Sequence, residues 1–373
     1  MGKKQQNAAC VFGAAFLLKQ LENLIKDLDT AMDPKDIEHV HRLRVSSRRL
    51  RTGLKHFRDC LPNKKTRAFE DEIRRLGNAL GKARDLDIQI ETLNTLYEEN
   101  LDQKFKPGYR RLLLRLKQRR MKAQKKVDQT LAELREKKIL KKMKKLLEEP
   151  ASSAEDLYLF TPSLYKQAFA AIHADLNDFL SYEEFVHSPE NMEKLHAMRI
   201  AGKHLRYSME IFAPVYKESL LPHIQIMKDI QDQLGMMHDD DVWVNWLPKF
   251  LENEEKRVDE YFGNTGPLKR LIPGIEQLIE DRKKSREAAY HAFLATWETV
   301  SLENAWDNLR NIINAPVNVE AALAYLDEEK GDSAPVEDKY SPTKKQDDTN
   351  VMDTQPGEIE ADQPASEEKP PTN

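Results

Sequence analysis

Apolar residues recur at helical spacing along most of this chain. The stretch from Ala8 to Leu18 continues through Leu21, Leu24, Ile25 and Leu28, with polar residues filling the other positions. The same three-and-four rhythm predicts helices near 8–30, 35–60, 65–100, 108–147, 162–186, 189–217, 219–252 and 267–312. Breaks fall at Asp33-Pro34, Leu61-Pro62, Pro107-Gly108, Pro150, Thr161-Pro162, Ser188-Pro189 and Gly263–Pro267, where Pro or Gly punctuates the pattern. No convincing strand alternation is present, so the chain reads as all-α. Beyond about residue 314 the chain turns to Asp, Glu, Pro, Ser and Thr. Apart from a short helix around Val319–Leu326, that tail is expected to be disordered.

At the N-terminus, Lys3 and Lys4 precede the apolar Ala8–Leu18 stretch, as in a short signal peptide. No small-x-small cleavage site follows, and the helical rhythm runs on, so the segment reads as a first core helix. No run of 18 uncharged apolar residues is present, so no membrane-spanning helix is expected.

Composition narrows the class. The 373 residues suffice for a large core, and only 13 are Gly, which argues against a loop-rich all-β fold. Cys10 and Cys60 are the two cysteines. They exclude a disulfide scaffold or a Cys-rich zinc site and suit a reducing cytoplasm, the expected compartment. The net charge of -4 conceals a basic body with an acidic tail, since residues 316–373 hold 15 acidic and 5 basic side chains. From Lys104 to Lys145 there are 18 basic residues against Asp128, Glu133 and Glu136. Such a concentration points to a polyanionic partner.

An internal repeat carries most of the information. His41-Arg42-Leu43-Arg44-Val45, followed by Arg48, Leu50, Arg51 and Phe57, is matched by His196-Ala197-Met198-Arg199-Ile200, followed by Lys203, Leu205, Arg206 and Phe212. A second string, Leu80-Gly81-Lys82-Ala83-Arg84-Asp85-Leu86-Asp87-Ile88, aligns with Leu234-Gly235-Met236-Met237-His238-Asp239-Asp240-Asp241-Val242 at nearly the same offset. The body is therefore two related units of about four helices each, near 8–150 and 158–312.

On a helix, His41, Arg44, Arg48, Arg51 and Lys55 fall within about 80° of one another, while Leu43, Leu50, Leu54 and Phe57 lie opposite. In the second copy His196, Arg199, Lys203 and Arg206 share a face opposite Met198, Leu205, Met209 and Phe212. Each helix presents a row of cations above an apolar stripe, and the first row is about 21 Å long. Packed like charges repel, so such a row persists at a cost unless something anionic binds there. A linear phosphate chain fits, because each Arg offers a planar fork and each Lys a point charge. The histidines can donate as well. Arg111, Arg115, Arg119, Lys122 and Lys126 form a further cationic ridge, and Arg111, Arg115, Arg119 and Lys122 are candidate contacts for the same phosphate chain.

Plainer readings stand beside these. A cation row is most often a solvated helix face. The repeated Asp residues suit anchors for neighbouring Arg or Lys, or caps for a helix following Gly81 or Gly235, better than metal ligands among so many cations. No nucleotide-binding glycine loop and no Ser/His/Asp or Cys/His nucleophile set is readable, so no enzymatic activity, cofactor or metal is expected. Trp243, Trp246 and Trp297 read as core.

The His-x-x-Arg-Val-x-x-Arg-Arg-Leu-Arg string, the Leu-Gly-x-x-Arg-Asp-x-Asp string and their duplication resemble the CHAD family, the conserved histidine α-helical domain, over residues 8–312. The resemblance implies two four-helix bundles, 8–150 and 158–312, related by a pseudo-twofold axis with a basic central groove or pore, followed here by the tail 313–373. It implies binding of inorganic polyphosphate without a catalytic step. In some relatives it implies attachment to polyphosphate or polyhydroxyalkanoate granules. CHAD domains often follow a triphosphate-hydrolysing CYTH domain, for which there is no room here. Carried over residue by residue, the binding roles fall to His41, Arg44, Arg48, Arg49, Arg51 and Lys55, with Lys82 and Arg84 from the second string. In the other copy they fall to His196, Arg199, Lys203 and Arg206. His238 stands opposite Arg84 and Met236 opposite Lys82, which predicts a site heavier in the first unit. Nucleic acid is the alternative partner, disfavoured because Tyr207 is the only aromatic beside the rows, and a metal-dependent enzyme of phosphate metabolism is a further alternative, with no acidic metal cluster beyond the repeated Asp residues to support it. No membrane partner is expected.

Overall fold

The computed structural model describes residues 8–29, 37–99, 102–152 and 161–314. The acidic tail, the expected helix at 319–326 and the Asp33-Pro34 break lie outside them. The described residues form helices and contain no strand. The first half holds α1 (Ala8–Asp29), α2 (Ile37–His56), α3 (Asn63–Glu98), α4 (Lys106–Glu136) and α5 (Ile139–Ser152). The second holds α6 (Pro162–Leu180), α7 (Met192–Phe212), α8 (Leu221–Phe262), α9 (Ile272–Leu302) and α10 (Ala305–Asn314).

The pattern predicts four helices per half, and a fifth appears in each because the last long one is broken. The predicted 108–147 helix splits into α4 and α5 at Lys138, and the 267–312 helix into α9 and α10 at Asn304. Both residues take a left-handed backbone, with φ of 50° and 52°. Asn tolerates that conformation, whereas Lys carries no sequence cue for it. Conversely, Pro150 lies inside α5, and α8 runs through Pro248 to Phe262 instead of ending near 252. Proline removes one backbone donor, which a helix packed on both flanks survives. Thr161 caps α6, its hydroxyl accepting from the Leu164 amide.

Helices α1, α2, α6 and α7 share one large core, in which Leu17, Leu43, Leu54, Phe57, Phe179 and Phe212 are fully buried. By length and apolar content α1 could cross a membrane, but half of its apolar window is buried, and Leu17, Leu21 and Leu24 are fully enclosed, as in a core helix. A second cluster joins the far ends of α3 and α8 to the starts of α4 and α9 through Leu93, Tyr109, Leu116, Trp246 and Ile275. The halves meet between like-placed helices: α1 with α6, α2 with α7, and α4 with α9.

Two features of these contacts carry no signal in the sequence pattern. The α1 N-terminal turn packs beside the 3-10 turn at Arg58–Cys60, with Phe12 against Phe57 at 6.0 Å. That brings the Cys10 and Cys60 Cα atoms to 5.1 Å, and the two are disulfide-bonded. The pair expected as thiols is thus a cross-link, and the cysteines lend no support to a reducing compartment. At the α4–α9 crossing, Gly108 and Gly274 face each other. A Cβ on Gly274 would sit 2.2 Å from the Phe105 carbonyl oxygen, and one on Gly108 2.5 Å from that of Leu271. Backbone cannot swing aside as a side chain can, so Gly274→Ala must push the helices apart. The expected loss is about 1–3 kcal/mol, read as a drop of several degrees in melting temperature. An unchanged melt would show that the crossing is not close-packed.

Candidate functional site

Helix α2 is anchored by Leu43, Leu50, Leu54 and Phe57, all fully buried, which fixes the direction of its opposite face. That face is not solvated. Arg44 is 6% exposed and Arg48 9%. On α7 the same arrangement goes deeper, with Arg199, Lys203 and Arg206 at 0%, 1% and 5%. Arg84 of α3 is buried too. His41 and His196 are half-buried, whereas Arg49, Arg51, Lys55 and Lys82 are exposed. The rows therefore sink into the protein at their N-terminal ends, and the first emerges at its C-terminal end. Burial of a Lys or Arg is costly unless the charge is compensated, so the plain reading of a solvated face fails for these six cations.

Where α2 crosses α7, the Arg48 guanidinium lies 4.7 Å from the Tyr207 ring centre and that of Arg206 5.1 Å. The Tyr207 hydroxyl is buried with no hydrogen-bond partner among the described residues. Beside it a cavity of about 220 Å³ is lined by Arg48, Arg51, Thr52, Lys55, His56, Asp175, His204 and Tyr207. Its one carboxylate is engaged. Ser208 donates to Asp175, and His56 Nε2 lies 2.8 Å from the Ser208 oxygen. A hydroxyl has one proton to give, so His56 Nε2 is the donor in that pair. Burial lowers the His56 pKa to about 4, with Asp175 opposing and Lys55 and His204 reinforcing the shift. His56 is therefore neutral at pH 7.

The second motif string lies within helices rather than at helix starts, since Gly81 is inside α3 and Gly235 inside α8. The capping reading of the aspartates is thus excluded, and the anchoring reading holds. Asp87 accepts from Arg120 of α4 at 2.6 Å. Asp240 and Asp241 accept from Arg282 and Arg286 of α9 at 3.2 and 2.5 Å. The offset from Arg120 to Arg286 equals that from Lys138 to Asn304, so pairing and helix break recur together. Asp239 instead faces inward to Arg199, Asp85 and Lys203. His238 stacks on His196 with ring centres 4.1 Å apart. Burial lowers its pKa to about 2, with Arg199, His196 and Lys203 adding to the shift, so the residue replacing an arginine here is neutral. No three His, Cys, Asp or Glu among the described residues are placed to hold a metal ion.

The α4 ridge forms a different surface. Arg111 and Arg115 bind Glu254 of α8, at 3.1 and 2.6 Å, and Arg257 joins them at 2.8 Å. Glu254 is completely buried. Burial pushes its pKa up, but the bonds and charges of Arg115, Arg257 and Arg111 outweigh that and hold it low. Arg119 lies over the Trp246 ring at 5.2 Å. Arg115, Arg119, Lys122 and Arg257 line a groove of about 730 Å³ between α4 and α8, apart from the α2–α7 cavity. Trp243, Trp246 and Trp297 are core, as expected.

The sequence pattern of the CHAD domain matches residues 15–248. The chain belongs to the CHAD domain family. A search of curated protein sequences finds no match. The chain is similar in fold to the crystal structure of the CHAD domain from the plant Ricinus communis, with a TM-score of 0.51 at 20% identity, over 85% of this chain and 95% of that one. It is similar also to PptA from Streptomyces chartreusis, with a TM-score of 0.53 at 16% identity, over 77% and 98%.

Sequence reasoning reaches the cation rows but not their companions His56, Asp175, Ser208 and Glu254, which are ordinary polar positions in a helical pattern. Asp239 departs from the anchoring role its neighbours play. Its Oδ1 is buried without a hydrogen-bond partner among the described residues. Burial raises its pKa to about 7, with Asp85 and Asp240 reinforcing and Arg199 and Lys203 opposing. A carboxyl that holds its proton more tightly folded than unfolded contributes stability at low pH, lost as pH rises from its unfolded value of 3.8 through 7. Three pKa units correspond to up to about 4 kcal/mol. Asp239→Asn removes the titration. Denaturant melts across that window should show the wild type weakening with rising pH relative to the variant, and parallel curves would mean Asp239 is not the group responsible.

Proposed function

We propose that this CHAD domain binds inorganic polyphosphate, holding it where the cations of both halves converge. One observation carries the reading. Arg44, Arg48, Arg84, Arg199, Lys203 and Arg206 are all buried near the meeting of the two halves, a concentration of six cations with Asp85, Asp87, Asp239 and Glu210 among their neighbours. A chain of phosphates supplies repeated single charges at close spacing, which suits a row of forks and points better than a compact anion does. The recurring α1–α6, α2–α7 and α4–α9 contacts fit a pseudo-twofold arrangement in which the rows face a common groove. The role is binding without a chemical step, and tethering to polyphosphate granules would follow from it. The nucleic-acid reading gains nothing at Tyr207, whose ring is 6% exposed and flanked by two guanidinium groups, leaving no open face for a base.

Retention should fall steeply with salt, because each neutralised phosphate releases counterions. Arg48→Gln combined with Lys203→Gln removes one cation from each row and relieves repulsion. Affinity for long-chain polyphosphate should drop about 10–100-fold, with a salt slope shallower by about two, while the melting temperature holds or rises. Unchanged affinity in filter-retention or calorimetric titrations would defeat the reading. So would RNA displacing polyphosphate at lower concentration than the reverse.

A further inference from the structure

The groove between α4 and α8 is where the protein departs from its own repeat. The paired bonds Asp87–Arg120 and Asp241–Arg286 set the register between the halves. In that register Arg115 corresponds to Asp281, Arg119 to Ser285 and Lys122 to Ala288. Across the groove, Lys249 corresponds to Thr95. The equivalent surface between α9 and α3 therefore lacks these cations, so the basic groove is not inherited with the duplicated architecture.

The groove is built rather than merely charged. Glu254 lies fully buried beneath it and binds Arg111, Arg115 and Arg257 at once. One carboxylate among three guanidiniums leaves the cluster positive. The multiple bonds also hold the arginines in place before any ligand arrives, which lowers the ordering cost of binding. Glu254 is thus a positioning residue for the cations. The aromatic floor offers no base-stacking face, because Trp246 and Phe250 are 5% and 4% exposed and Arg119 covers the Trp246 ring. The available chemistry is that of oxyanions in a row.

Helix α8 connects this surface to the buried cations. Asp239 lies beside Arg199 and Lys203. Trp246 and Asn253 follow it at heptad spacing and Arg257 comes four residues after Asn253, so these three fall on nearly one side of α8. Each heptad advances about 10 Å. The far end of the groove thus lies within about 30 Å of the buried cluster along the helix, too far for one short anion to touch both.

We propose that the α4–α8 groove is a second holding segment for the same polyanion, reached only by chains long enough to extend from the buried cations along α8. This rests on the polyphosphate reading and adds a chain-length threshold to it. Two linked contacts raise the affinity of a ligand that spans both and leave that of a shorter one alone.

The test uses Lys249→Glu with Lys256→Glu, both exposed and both outside the α2–α7 cavity. Titrations of the full chain compare tripolyphosphate with long-chain polyphosphate. Long-chain affinity should fall about tenfold or more, with a salt slope reduced by about two, and tripolyphosphate affinity should stay the same. Lys122→Glu on the opposite wall should reproduce the selective loss. Equal losses for both lengths, or no loss for either, would overturn the groove. A wild-type chain that retains no polyphosphate would overturn the parent reading instead.

Discussion

Repulsion among dry, neighbouring cations is the constraint on which this architecture turns. Two unit charges about 4 Å apart repel by about 4 kcal/mol at the effective dielectric of a protein surface, and by more inside. Six buried Lys and Arg side chains on three helices would drive those helices apart if only their own contacts held them. The helices stay because each is fixed from behind. Leu43, Leu50 and Leu54 of α2 and Phe57 just after it lie in the core, and Met198, Leu205, Met209 and Phe212 of α7 do the same. The apolar stripe and the cation row are two sides of one device. An anion that neutralises the row relieves stress the fold already bears, so binding and stability are coupled through the same groups.

Carboxylates divide the work of containing that charge. Asp87, Asp240 and Asp241 look outward to Arg120, Arg282 and Arg286, fastening α3 to α4 and α8 to α9. Asp239 looks inward with Asp85 nearby, and its raised pKa reflects how little water it has rather than any shortage of cations. Asp175 is held by Ser208 and stands 3.8 Å from Lys55. Glu210 pairs with Arg206 at 3.4 Å, and an inward carboxylate competes with any incoming anion.

Periodicity makes the helices, the duplication and the buried face of α2 and α7 legible, because these follow from local spacing that each half repeats. Depth is not legible. A helical projection places Arg199 and Lys55 alike on a cationic side, yet Arg199 is fully buried and Lys55 exposed, a difference made by what α7 and α2 meet in the other half. The breaks at Lys138 and Asn304 lack a Gly or Pro signal, and the continuation through Pro248 runs against one. Each is a case of packing overriding local preference. The Cys10–Cys60 bond likewise depends on α1 starting where α2 ends, which no local spacing encodes.

Duplication alone would give two equal half-sites, and the two halves here differ. His238, neutral by burial, stands where the first half has Arg84, and Met236 where it has Lys82. Meanwhile α4 carries a ridge of Arg and Lys whose equivalent positions on α9 are not cationic, and α8 runs on to Phe262 with Glu254 binding Arg115 of that ridge. A compact anion on a twofold axis would favour matched halves. A linear polyanion has a course to follow, and residues along that course gain from positive charge while their symmetry mates do not. The asymmetry of the halves is thus what an extended ligand would favour under the proposed reading, with basic residues running from the buried cluster out along α8.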